Sequence, residues 1–273
     1  MEKEIWLDYF PMWGIFVLTI AVVMVSMRIG RYLGNRRRRK PDHESEASLG
    51  TIIGSTLGLL GFLIVFSFGL AAERFQQRKQ ILLDEINAIG TTHLRAGLLA
   101  EPHKNEIRDL LKQYVDIRAN LPNIIMQSEK LEDARNRSEE LQEEIWDHVE
   151  AFAKAARDSE MDALFIESLN KMIDLHTVRI TVFHYRIPTT IWAVLYFTTI
   201  VSMLTVGYQA GISGKSSLKV GIVLALIFTI VIMLIVDLDR AASGSLQVSQ
   251  KPMLELQHKL KRVSESEPWQ KQQ

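Results

Sequence analysis

ASLGTIIGSTLGLLGFLIVFSFGLAAERF, residues 47–75, runs without a charge from Ala47 to Ala72 and then stops at Glu73 and Arg74. A helix needs about 20 mainly apolar residues to cross roughly 30 Å of hydrocarbon, so this stretch is long enough to span a bilayer. Three others match it: Tyr9 to Met27, Ile187 to Gly214, and Val220 to Val236, the last extended by Leu218 and Leu238. Residues 73–186, between the second and third spans, are polar. The expected fold is therefore all-α, with four transmembrane helices and an extramembrane helical bundle between spans 2 and 3.

The expected organisation places the first span and a basic loop in residues 1–46 and the second span in 47–72. The helical domain follows at 73–186, spans 3 and 4 at 187–240, and a polar tail at 241–273. The 273 residues carry no net charge, so nothing favours nucleic acid, and they contain no cysteine. That excludes disulfides, thiol nucleophiles and cysteine-ligated zinc.

The first span has no basic leader; its positive charges follow it, as Arg28, Arg31, Arg36 to Arg39 and Lys40. It reads as a retained anchor. Loops rich in Lys and Arg stay cytoplasmic, and Lys215 and Lys219 between spans 3 and 4 point the same way. The expected location is a bacterial inner membrane, with both termini and the helical domain periplasmic.

Within that domain, Arg78 to Leu99 continues the second span in apolar steps, and Pro102 opens a new helix. Ile107, Leu111, Tyr114 and Val115 form one narrow stripe, and Leu141, Ile145, Val149, Phe152 and Ala156 another. Leu164, Phe165, Leu169, Met172, Ile173 and Ile180 form a third, running towards Pro188. Leu121-Pro122-Asn123 is expected to break the second of these helices, and the charged run Glu129–Glu150 to form a solvated face. His93, His103, His148, His176 and His184 lack metal-ligand spacing and read as surface residues, so no metal or cofactor is expected. No catalytic triad, phosphate loop or carboxylate pair is present, and an enzyme is not expected.

On a helical wheel, Ser55, Gly58, Phe66, Gly69 and Glu73 all fall within about 40° of Phe62. Leu57, Leu60 and Ile64 lie opposite. Two explanations fit the stripe. Small residues at four-residue spacing let helices pack closely. Alternatively, several copies arranged around an axis would turn Phe62 and Phe66 into rings that gate by dewetting, with Glu73 at the mouth. A second group, Arg74, Arg186, Asp237, Asp239 and Arg240, gathers where spans 2 and 4 end and span 3 begins. Such charges are costly unless paired, so they are expected to find each other, either as a clamp fixing helix ends or as a hinge.

Three stretches resemble the bacterial bestrophin-like family. They are Gly61-Phe62 through Glu73-Arg74-Phe75 to Asp84-Glu85-Ile86 and Thr91, then Arg186-Ile187-Pro188 to Gly207-Tyr208-Gln209-Ala210-Gly211, and finally Asp237-Leu238-Asp239-Arg240 with Gly244. More distantly, the chain is similar to bestrophins, pentameric channels with four spans per subunit and a neck lined by the second span. That resemblance implies a homo-oligomer passing small inorganic ions, with Phe62 and Phe66 at the neck. The acidic run of the animal calcium clasp is missing after span 4, so calcium gating is not implied. A non-conducting scaffold or sensor whose helical domain binds a protein is the alternative.

Overall fold

The computed structural model describes residues 10–39, 46–125, 127–154, 159–214, 218–241 and 244–266. Tyr9, Lys40, Ala156 and Lys215, all used above, lie outside them. The described residues form eight helices and no strand: α1 (Met12–Arg38), α2 (Glu46–Ala96), α3 (His103–Ile124), α4 (Ser128–Lys154), α5 (Glu160–Phe183), α6 (Thr189–Ser213), α7 (Leu218–Asp239) and α8 (Lys251–Ser266). Four are long and apolar enough to cross a membrane: α1, α2 from Gly50, α6, and α7 from Gly221. The chain divides into two compact units, one of residues 1–75 with 185–247 and the other of 76–184 with 248–273.

In the first unit, α1, α2, α6 and α7 share an apolar core that includes Val23, Leu60, Leu195, Met203 and Ile232. Its closest approach is between α1 and α6. A Cβ on Gly207 would lie no more than 3.0 Å from the O, C and Cα of Met27. One on Gly30 would lie within 2.9 Å of Leu204 O and C and of Tyr208 N. Gly34 and Gly211 meet the opposite helix's backbone in the same way. These pairs at four-residue spacing let two backbones touch directly, which is the main source of helix association where lipid removes the hydrophobic drive. Thr19 and Tyr196 add a side-chain hydrogen bond of 2.9 Å across the same pair.

The stretch expected as a basic loop is helical through Arg38. Arginine is a good helix former, and positive charge in the last turn suits the helix dipole. Gly30 and Gly34 fall in this extension, which explains its order: α6 holds it.

In the second unit, the anticipated stripes face one core containing Ile107, Leu111, Tyr114, Leu141, Ile145, Phe165, Leu169 and Met172, except that Leu164 is exposed. The run Glu129–Glu150 lies in α4, with Arg135–Glu139 (2.9 Å) and Arg137–Glu144 (2.8 Å) pairs on its wet side. Pro122 does not break α3; it sits in its last turn. There it removes one i→i−4 hydrogen bond close to the end, and the helix stops two residues later at Ile124.

Two further expectations change. The helix of the third stripe, expected to run towards Pro188, stops at Phe183, and residues 184–188 are non-helical between α5 and α6. Pro188 disfavours a helical Ile187, and the Ile187 N–H goes instead to a side chain. The 241–273 segment, expected as a polar tail, carries α8, whose Met253, Leu256 and Leu260 are buried in the second unit's core. Their spacing of three and four is a helical stripe in a mostly polar sequence.

Candidate functional site

The second span's two faces have opposite fates. Leu60 is fully buried, and Leu57 and Ile64 pack beside it against the first unit's core. Ser202 Oγ donates to the Thr56 carbonyl (3.2 Å), fastening this face to α6. On the other face, Ser55, Gly58, Phe62, Phe66, Gly69 and Glu73 are all exposed. Phe62 is 65% exposed and Phe66 50%, values that for large aromatics mark a surface no described helix of the chain covers. Their rings stack at 6.4 Å between centroids. Ser55 Oγ is turned back onto the Thr51 carbonyl (3.0 Å). A Cβ on Gly50, Gly54, Gly58, Gly61 or Gly69 would meet nothing within 4 Å. Within one chain, close glycine packing therefore belongs to α1 and α6, and the second span's glycines stand open.

The charged group beside Arg74, within α2, and at the end of α7 is anchored largely to backbone. Asp237, Asp239 and Arg240 are almost completely buried. Asp237 accepts from Ser245 N (2.8 Å), Ser245 Oγ (2.5 Å) and Leu246 N (3.2 Å). Asp239 accepts from Ile187 N (2.9 Å), and Arg240 Nη2 donates to Phe10 O (2.6 Å). Gly244 has φ +133°, and a side chain there would strike the Asp237 carboxylate, so the turn requires glycine. Arg74 lies 5.9 Å over the Tyr185 ring, a cation–π distance, and Arg186 Nη1 donates to Tyr185 O (3.2 Å). Asp237-Leu238-Asp239-Arg240 thus holds three chain segments at one point: the start of α1, the start of α6 and the turn after α7.

A second polar centre escaped the sequence reading. Glu85 is completely buried in the second unit. Its carboxylate pairs with Arg118 (2.8 Å) and with Arg179, and accepts from Tyr114 Oη (3.3 Å). Tyr114 Oη also contacts His176 Nδ1 (3.0 Å), while Arg179 Nη2 donates to Gln250 Oε1 (3.1 Å). His93 and His176 are buried too, correcting their reading as surface residues. The available signal was register. Glu85 follows Leu82 by three, Arg118 follows Tyr114 and Val115 by four and three, and Arg179 follows Leu175 by four, so each charge sits in an apolar stripe.

Burial, reinforced by the Arg118 guanidinium, pushes His176 down to about 4, with Glu85 pulling weakly the other way. The unfolded imidazole titrates near 6.5, so the unfolded chain binds more protons between these values. The stability tied to a neutral His176 is whole above about pH 6.5 and is lost as pH falls towards 4, by up to about 3 kcal/mol. In His176→Gln, the decline of the unfolding midpoint from pH 7 to pH 4.5 is expected to be shallower than in wild type. Parallel declines would remove His176 as the titrating group.

Residues 17–253 match the family model of the bestrophin-like domain. No curated protein matches the sequence. Two crystal structures of a bacterial bestrophin homologue from Klebsiella pneumoniae are similar in fold at 10% sequence identity. One, phased on zinc, has a TM-score of 0.66 over 94% of this chain and all of the other; the second, carrying a point mutation, has 0.64 over 92% and 98%. The family model takes in the open face of the second span, the Glu85 centre and the Asp237–Gly244 anchor together, and the chain belongs to the bestrophin-like family.

Proposed function

We propose that this chain is the subunit of a homo-oligomeric channel, a closed ring of copies (five, by analogy with bestrophins) that passes small inorganic ions. The observation that carries the reading is the open face from Ser55 to Glu73, set against a buried opposite face on the same helix. Four spans are too few to enclose a conduit, so a pore needs symmetric copies of this face around an axis. Phe62 and Phe66 then form two apolar rings that gate by dewetting, and Glu73 a negative ring favouring cations. The lipid bilayer, other copies of the chain and the permeant ions are the partners. In a bacterial cell the channel would sit in the inner membrane, with the helical domain periplasmic.

Ion flux into liposomes tests the proposal. The Phe62→Ala/Phe66→Ala double variant is expected to conduct at least about tenfold faster than wild type, since widening an apolar constriction removes its dewetting barrier. Equal oligomeric state and helical content must accompany the comparison. No flux from either protein would favour the scaffold or sensor.

A further inference from the structure

His103 opens α3 and Glu106 lies one turn later on the same face, while His148 lies on α4. The two helices bring together residues 45 positions apart: His103 Nδ1 and His148 Nδ1 are 3.1 Å apart, and Glu106 Oε2 is 3.5 Å from His148 Nδ1. One ligand atom from each of the three lies within 4.8 Å of the others. We propose that His103, His148 and Glu106 form a zinc site in the extramembrane unit.

The distances carry the argument. Tetrahedral zinc with bonds of about 2.0–2.1 Å holds neighbouring ligand atoms about 3.3–3.4 Å apart. The 3.1 and 3.5 Å separations straddle that value, so an ion enters with small side-chain shifts. Two imidazoles and one carboxylate are a borderline-soft set suited to zinc, and poorly suited to calcium or magnesium, which prefer six or more oxygens or octahedral oxygens. The histidines are half-buried and Glu106 is exposed, leaving room for water as fourth ligand. The His103 ring is also held from behind. It packs edge-on against buried Phe152, 5.7 Å between centroids, and Phe152 packs on Phe165 of the core. Such support fixes a ligand's orientation before metal arrives.

Glu106 and His148 also border a cleft with Asp109, Glu144 and Asp147, which raises the local concentration of cations. Two of those carboxylates are already engaged, Asp109 with Lys112 (2.7 Å) and Glu144 with Arg137 (2.8 Å). They shape the field and leave coordination to the histidine pair and Glu106. An occupied site would join the start of α3 to the later turns of α4. The inference is independent of conduction.

The test is zinc chloride titrated calorimetrically into untagged, chelator-treated full-length protein in detergent, with cobalt absorption as a second readout. The expected result is about one zinc per chain with a dissociation constant below about 10 μM, unchanged by excess magnesium or calcium. His103→Gln and His148→Gln should each weaken binding by about 100-fold or more and abolish the tetrahedral cobalt bands. Glu106→Gln changes an exposed residue and keeps the test usable if a histidine variant folds poorly; it should weaken binding about tenfold or more. Wild-type protein that takes up no zinc would make the 3.1 Å contact a plain hydrogen bond and overturn the proposal. Equal zinc binding by wild type and the three variants would overturn it as well.

Discussion

Glu85→Ala is expected to destabilise the extramembrane unit by about 3–5 kcal/mol, the cost of breaking a buried ion pair from one side. The carboxylate has no exposed surface, Arg118 is 3% exposed and Arg179 16%. Removing the acid leaves two guanidiniums facing each other with their shared counter-charge gone. Tyr114 also loses one of its hydroxyl contacts. Glu85→Gln should cost less, since an amide oxygen can still accept. A Glu85→Leu variant with Arg118 and Arg179 both replaced by methionine should recover much of the loss, because well-packed apolar groups often replace buried ion clusters without penalty. Thermal unfolding in detergent, with hydrogen exchange read over residues 76–184, measures all three. A loss below about 1 kcal/mol in Glu85→Ala would mean water reaches the cluster, and the account of it as a dry centre would fail.

Gly207→Ala is the second large effect. One methyl group would be driven into the Met27 backbone, and backbone cannot swing aside as a long side chain can. The two helices must separate, and the contacts at Gly30, Gly34 and Gly211 loosen with them. Overpacking typically costs about 1–3 kcal/mol; because this contact is backbone to backbone, the upper end or more is expected. Gly58→Ala is the internal control: nothing lies within 4 Å of its Cβ position, so the protomer's stability should change by no more than about 0.5 kcal/mol. Unfolding midpoints of the two variants beside wild type decide the matter. If Gly207→Ala proves as mild as Gly58→Ala, the α1–α6 contact is not the rigid seam described here.

The four spans were legible because hydrocarbon thickness sets a length that charge-free runs either meet or miss. The separation of α2 into two faces was legible as well, since 100° per residue orders the side chains whatever they touch. Which face met its own chain was not, because that depends on where α6 and α7 lie. The Glu85 centre was hidden for a related reason: a single acid in an apolar stripe reads like one that reaches solvent until its two arginines arrive from other helices. His103 and His148 likewise sit far apart in sequence, and only the pairing of α3 with α4 brings them together. The glycines of α1 and α6 did carry a signal, four-residue spacing in both spans, but the glycine-rich second span carries the same spacing without any such contact.

The Asp237–Arg240 anchor has a consequence for how the protein is made. Its hydrogen bonds reach back to Phe10 and Ile187 and forward to Ser245 and Leu246. Chains emerge from the ribosome N-terminus first, so the segment ahead of α1 waits for the last span before its Arg240 partner exists. A chain cut short just before residue 237 would keep all four apolar stretches and lose the residues that tie the starts of α1 and α6 to the turn after α7. The anchor can therefore close only after α7 and the turn that follows it have been made, which puts it among the last contacts of the membrane unit to form.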